Sequence, residues 1–278
     1  MAWYDKYLAA YDVPFGEISK GITSQIVIPK KDAVDVSVIA IAHNEANRIA
    51  ACLWSLCENI TEYSYEIIVV NNCSNDDTEG VLKALGITYY NEMKKGPGHA
   101  RQCGLDHARG RYHLCIDADT LYPPYYIDTM VAALEKPGVV CAYGLWSFLP
   151  SEGYSRIGVT LYEFMRDIYL RLQNIRRPEL NVRGMVFAFR TEDARKIGFR
   201  TDIIRGEDGS LALALKEYGK LLFVTSRKAR PVTGHGTLSA DGSLFGAFLA
   251  RMKKGLGGLA SLFTKKEKYE DEEDNMLR

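Results

Sequence analysis

Between residues 36 and 143 the chain alternates short unbroken apolar runs with stretches whose apolar residues recur every three or four positions. Residues 36–42 are apolar apart from Ser37, as expected of a strand buried on both faces. Ile49, Cys52, Leu53, Leu56 and Cys57 then repeat at helical spacing, with Asn44 set to cap that helix. Residues 66–70 predict a second buried strand, ended by the turn-forming run Asn71-Asn72-Cys73-Ser74-Asn75-Asp76-Asp77. Further strands are predicted at 87–90, 112–116 and 139–143. Helices are predicted from Pro97 to Ala108 and from Pro123-Pro124 to Glu135.

This alternation predicts an α/β domain with a largely parallel sheet flanked by helices. Ligands of such sheets bind beyond the carboxyl ends of the strands. Three of the predicted ends are polar: Asn44-Glu45, Asn71-Asn72 and Asp117-Ala118-Asp119. In a parallel sheet they converge on one edge.

The remainder is less regular. Residues 1–34, with Pro14, Gly16, Gly21 and Pro29, read as an irregular arm ahead of a domain over 35–240. Helices are predicted at 155–173, at 191–197 capped by Thr191, and at 207–218, with strands at 185–189 and 221–225. Beyond 241 the character changes. Phe245, Phe248, Leu249, Met252, Leu256, Leu259 and Phe263 recur with helical period beside Arg251, Lys253 and Lys254. This stripe over 245–263 suits either packing on the protein itself or peripheral contact with an anionic membrane surface. Gly246, Gly255, Gly257 and Gly258 weaken it as a helix, and residues 265–278 read as a disordered charged tail.

Charge and cysteine usage narrow the partners. Lys+Arg and Asp+Glu stand at 35 each, which gives no basic excess for nucleic acid. The six cysteines form no CxxC pair, and no secretory leader or uninterrupted membrane-length apolar run is present, so a reducing, cytoplasmic setting is expected.

The chemistry centres on Asp117 and Asp119. Residues two apart in an extended segment face the same way, so both carboxylates can address one site. Their hard oxygens suit Mg2+ or Mn2+, which complete their shells with substrate phosphates. Asp-x-Asp alone is also an ordinary solvated turn. A haloacid-dehalogenase phosphatase motif is a poor match, because Leu121 stands where that family has Thr or Val and the motif falls on the fourth strand.

Context favours another family. The runs Val-Ser-Val-Ile-Ala-Ile-Ala-His-Asn-Glu at 36–45 and Glu-Ile-Ile-Val-Val-Asn-Asn-Cys-Ser-Asn-Asp-Asp-Thr at 66–78 resemble the first two strands of family-two glycosyltransferases with the GT-A fold. Gly98-His99-Ala100-Arg101, Asp117-Ala118-Asp119, Gly184-Met185-Val186-Phe187 and Gly206-Glu207-Asp208 follow in that family's order. The resemblance spans about 36–235 and implies an inverting transfer from a nucleoside-diphosphate sugar to an acceptor hydroxyl on a glycan, a lipid-linked glycan or a protein glycan. It implies that Ala42, Asn44, Glu45, Asn71, Asn72, Gly98, Arg101, Asp117 and Ala118 line the donor site, Arg101 meeting the diphosphate. Asp119, with Asp117 and His235, would hold Mn2+ or Mg2+, and Asp208, paired with Glu207, would be the general base. The family often has an acid where Asn71 or Asn72 stands, so its rule for the nucleotide base does not transfer. Arg227, Lys228 and Arg230 are further candidates for the diphosphate, and Trp146 is a candidate acceptor contact. The competing reading of the same motifs is a GT-A-like domain that binds a sugar nucleotide without turnover.

Overall fold

The computed structural model describes residues 2–27, 33–150 and 155–234. His235, the 245–263 stripe and the charged tail lie outside the described residues. The N-terminal segment is not irregular. It forms a 3-10 turn over Asp5–Ala10 and helix α1 over Phe15–Ile22, anchored by buried Tyr7, Ala10 and Ile22. Tyr7 packs edge-on against Trp54 at 5.1 Å between ring centroids, and this aromatic anchor outweighs the turn-forming Pro14 and Gly16.

The predicted alternation appears, with the unpredicted helix α3 and strand β5 added: β1 (Val36–Ala42), α2 (Ile49–Cys57), β2 (Tyr65–Asn72), α3 (Thr78–Leu85), β3 (Thr88–Glu92), α4 (Pro97–His107), β4 (Tyr112–Asp117), β5 (Thr120–Leu121), α5 (Tyr126–Leu134) and β6 (Val139–Gly144). Then come β7 (Ser147–Phe148), α6 (Arg156–Asn174), β8 (Phe187–Arg190), α7 (Thr191–Ile197), α8 (Glu207–Leu215), β9 (Lys220–Val224) and β10 (Val232–Thr233). Asn44 does not cap α2. Its φ of 60° turns the chain away, and its Oδ1 accepts instead from the Asn75 and Asp76 backbone in the loop after β2. Thr191 likewise gives no side-chain cap to α7, since its hydroxyl donates to the Gly110 carbonyl.

The main sheet has the order β3-β2-β1-β4-β8-β6-β9. Strands β3, β2, β1 and β4 are parallel; β8 runs antiparallel between β4 and β6, and β9 is parallel to β6. One face packs on α2, α3 and α5 through Val38, Ala40, Leu53, Leu82 and Met130, and the other on α4, α7 and α8 through Leu105, Ala194 and Leu211. Both faces are therefore covered, which explains the unbroken apolar strands. Registers pairing Ala42 with Asn71 and Ile41 with Asp117 bring the three polar strand ends together. A small second sheet, β5-β10-β7, continues from the end of β4.

Candidate active site

At the end of β4, Asp117 and Asp119 each keep about a third of their side chains exposed, at 31% and 32%. The turn between them is fixed from below. The Asp117 amide donates to the Tyr122 hydroxyl at 3.1 Å, and that hydroxyl donates to the Met185 carbonyl at 3.1 Å. Ala118 is buried and its amide reaches back to the Ile41 carbonyl. Both carboxylates thus stand on a braced strand end, open to one side.

Arg101, on α4, is the buried cation of this site, at 1% exposure. Its Nη1 donates to the Ile116 carbonyl at 2.8 Å and its Nη2 to Asp117 Oδ1 at 2.5 Å, while Nε lies 3.5 Å from Asp208 Oδ1. Burial alone would lower its pKa, but Asp208 and Asp117 reverse that and hold it above its ordinary value. Arg101 therefore ties the strand-end carboxylate to the start of α8 and, at 1% exposure, has no free face for a diphosphate. Asp208 is raised above the usual carboxylate range by burial, Asp117 adding and Arg101 opposing. Neighbouring Glu207 is pushed up to about 8, by burial first and then by Asp208.

A second cluster lies on the other side of Asp119. Arg48 Nη1 is 4.0 Å from Asp119 Oδ2, and Arg48 Nε is 3.3 Å from Glu45 Oε2. Burial and then Asp119 push Glu45 up to about 8. Tyr11, from the N-terminal segment, donates to the Asp119 carbonyl at 2.6 Å. Tyr11 and Arg48 were not singled out in the sequence. Arg48 could have been found, since it lies four residues past Asn44 in the strand-end loop; Tyr11 is 108 residues from its partner and carries no local signal.

The remaining candidates divide. Ala42 ends β1 beside Asn71. Asn71 Nδ2 donates to Asn91 at 2.8 Å, leaving its buried Oδ1 without a partner and free to receive a donor. Asn72 spends its amide on the loop after β3, donating to the Glu92 and Lys94 carbonyls and accepting from Gly96. Gly98 is small for packing: a Cβ there would stand 2.2 Å from the Arg200 carbonyl oxygen. Arg230 is engaged by Asp167 and Glu163 and is not spare for a diphosphate, while the exposed Lys228 lies over the Tyr125 ring. Trp146 is partly buried beneath the Arg166 guanidinium, 4.4 Å from its centroid.

Among the described residues no three His, Cys, Asp or Glu side chains gather as a metal cluster. Two half-open carboxylates still fit a hard divalent cation that draws its other oxygens from a diphosphate. The raised Asp119, crowded by burial and by Asp117, is the kind of excess negative charge such a cation relieves. The chain reaches Gly234 close by, where a Cβ would stand 2.9 Å from the Tyr11 hydroxyl.

This architecture has close parallels. The chain is 28% identical over 150 residues to an uncharacterized glycosyltransferase of Rickettsia prowazekii, covering 48% of this chain and 47% of that protein. It is 29% identical over 127 residues to the succinoglycan biosynthesis protein ExoO of Rhizobium meliloti, covering 44% and 36%. The chain thus spans about half or less of the length of these curated relatives. A mannosyltransferase of Pyrobaculum calidifontis, solved with GDP-Man and Mn2+, superposes with a TM-score of 0.54 at 23% identity, covering 83% of this chain and 68% of that one. That likeness shows the GT-A fold. The model of glycosyl transferase family 2 matches residues 37–198, more than half of the 278, and takes in β1 through α7 with both strand-end aspartates. The chain belongs to glycosyl transferase family 2.

Proposed function

We propose that residues 35–240 form the catalytic domain of an inverting glycosyltransferase, which moves a sugar from a nucleoside diphosphate to an acceptor hydroxyl with Mn2+ or Mg2+. The observation that carries this reading is the Arg101 link. One buried guanidinium contacts both Asp117, at the strand end, and Asp208, at the start of α8. Donor end and base are thereby kept within one side chain's reach, as a one-step displacement needs.

In this reading Asp119 is the direct metal ligand, with Asp117 facing the ribose or a metal-held water and His235 completing the set from beyond the described residues. The bound cation would neutralise charge developing on the departing diphosphate. Asp208, kept partly protonation-prone by burial, takes the acceptor proton while Arg101 limits that rise. Asn71 and the end of β1 at Ala42 line the nucleoside pocket, and Glu45 is held by Arg48 at its rim.

The acceptor is a glycan, a lipid-linked glycan or a protein glycan, in keeping with the relative ExoO being a succinoglycan biosynthesis protein. Titration calorimetry of the chain with UDP and with GDP, with and without Mn2+, tests the donor half. Metal-dependent binding of one of them is expected; no metal-dependent binding of any nucleoside diphosphate would remove the proposal.

A further inference from the structure

Helix α6 is turned inside out. Its protein-facing side carries Tyr162, Arg166 and Leu170, and Glu163, Arg166 and Asp167 are drawn into an ionic network. Arg166 donates to the Trp146 carbonyl and to Asp167, and Arg230 reaches both Asp167 Oδ2 at 2.7 Å and Glu163 Oε2 at 3.2 Å. Glu163 also accepts from the Ser147 hydroxyl and the Phe148 amide.

The outward side is apolar. Ile157, Leu161, Phe164, Ile168, Leu172 and Ile175 are 82%, 50%, 62%, 44%, 63% and 77% exposed. At 100° per residue these six fall in one sector about 80° wide. Single exposed apolar residues are ordinary, whereas six large ones in a row along one helix mark a surface that something covers. The charged residues exposed on α6 itself are Arg156 and Arg171; its two acids, Glu163 and Asp167, are only 16% and 14% exposed and held by Arg230.

That charge pattern argues against a second copy. A second copy docking α6 on α6 would bring arginines of both copies to one rim with no exposed α6 carboxylate to pair them. A bilayer containing anionic phospholipid offers an apolar interior for the stripe and phosphates for the arginines. We propose that α6 lies on such a bilayer surface, with the stripe from Ile157 to Ile175 entering the acyl boundary and Arg156 and Arg171 at the headgroups.

The placement gives the contact a consequence. Glu163 holds β7, β7 pairs with β10, and β10 pairs with β5, which begins beside Asp119. The other end of α6 leads to Gly184, against Arg101 and Asp208. A membrane held at α6 therefore stands at the flank of the candidate site, where hydroxyls of lipid-anchored acceptors would be concentrated. Lipid contact itself does not rest on the transferase reading, because it is measured without turnover.

The full chain is sedimented with vesicles of phosphatidylcholine alone and of phosphatidylcholine with a minor fraction of phosphatidylglycerol. Cosedimentation with the mixed vesicles is expected. Phe164→Glu with Leu172→Glu should weaken it by at least about tenfold, and Arg156→Gln with Arg171→Gln by about fivefold per arginine on the anionic vesicles. All four side chains are exposed, so unchanged melting temperatures verify folding. The proposal is overturned if wild type stays in the supernatant, or if the stripe variant binds undiminished, which would assign any contact to another segment. It is also overturned if light scattering finds a dimer that the stripe substitutions dissociate.

Discussion

Gly184 lies directly against the guanidinium of Arg101: a Cβ there would stand 2.0 Å from Nη2 and 2.6 Å from Asp208 Oδ2. The absence of a side chain at 184 is what allows one arginine to contact two carboxylates. Gly184→Ala must push Arg101 or the backbone aside, and overpacking of this kind costs about 1–3 kcal/mol. Urea denaturation should report that loss, together with a fall in transfer rate. An unchanged midpoint would mean that the 183–185 backbone yields freely.

Removing the cation should cost more. Arg101→Met leaves the buried Asp208 and the partly exposed Asp117 without their common partner, and breaking a buried charge pair costs about 3–5 kcal/mol. Arg101→Lys should recover only part, since a single ammonium cannot serve Ile116, Asp117 and Asp208 from the positions that Nη1, Nη2 and Nε occupy. Chemical denaturation of the three proteins orders them; equal stability of the Lys variant and wild type would contradict the fork geometry.

The two raised glutamates predict a pH dependence of the metal-free protein. Glu45 and Glu207 are each pushed from 4.5 to about 8, by burial first, with Asp119 adding at Glu45 and Asp208 at Glu207. Between those values the native state keeps protons that the unfolded chain has released. Stability is therefore fullest below pH 4.5 as far as these groups are concerned, and is lost as pH rises towards 8. Glu45→Gln should flatten this slope in unfolding measurements taken from pH 5 to 8. A slope identical to wild type would remove Glu45 as a source.

The base assignment has its own test. Asp208→Asn keeps the shape of the side chain and leaves Arg101 with Asp117 and the Ile116 carbonyl. Donor binding should persist while transfer falls by about 10²- to 10⁴-fold. Retained turnover would take the base role away from Asp208, with Glu207 the next carboxylate to replace.

Much of this was legible along the chain because β1, β2 and β4 are apolar on both faces and end on polar residues, a local signal. What was not legible depends on distance. Strand β8 inserts antiparallel between β4 and β6, and the two-residue strands β5, β7 and β10 are too short to carry a period. Arg101 looked like a phosphate ligand because a basic residue in such a helix start usually faces solvent. Only the fold reveals that Asp117 and Asp208 close over it. The N-terminal segment misled through Pro14 and Gly16, whereas its anchoring comes from Tyr7 on Trp54 and from Tyr11 on Asp119.

That last contact supports a specific expectation. The Tyr11 hydroxyl donates to the Asp119 carbonyl at 2.6 Å and pins the strand end from outside the sheet. Tyr11→Phe keeps the ring and leaves that carbonyl without its donor, a loss of about 1 kcal/mol in stability. If the bond also orients the Asp119 side chain, Mn2+-dependent binding of the nucleoside diphosphate should weaken by about fivefold, roughly the same energy expressed as affinity. Calorimetry with and without Mn2+ separates the two effects. A lower melting temperature with unchanged metal-dependent affinity would restrict Tyr11 to holding the N-terminal segment in place. A loss confined to the Mn2+ titration would make it a positioning residue of the donor site.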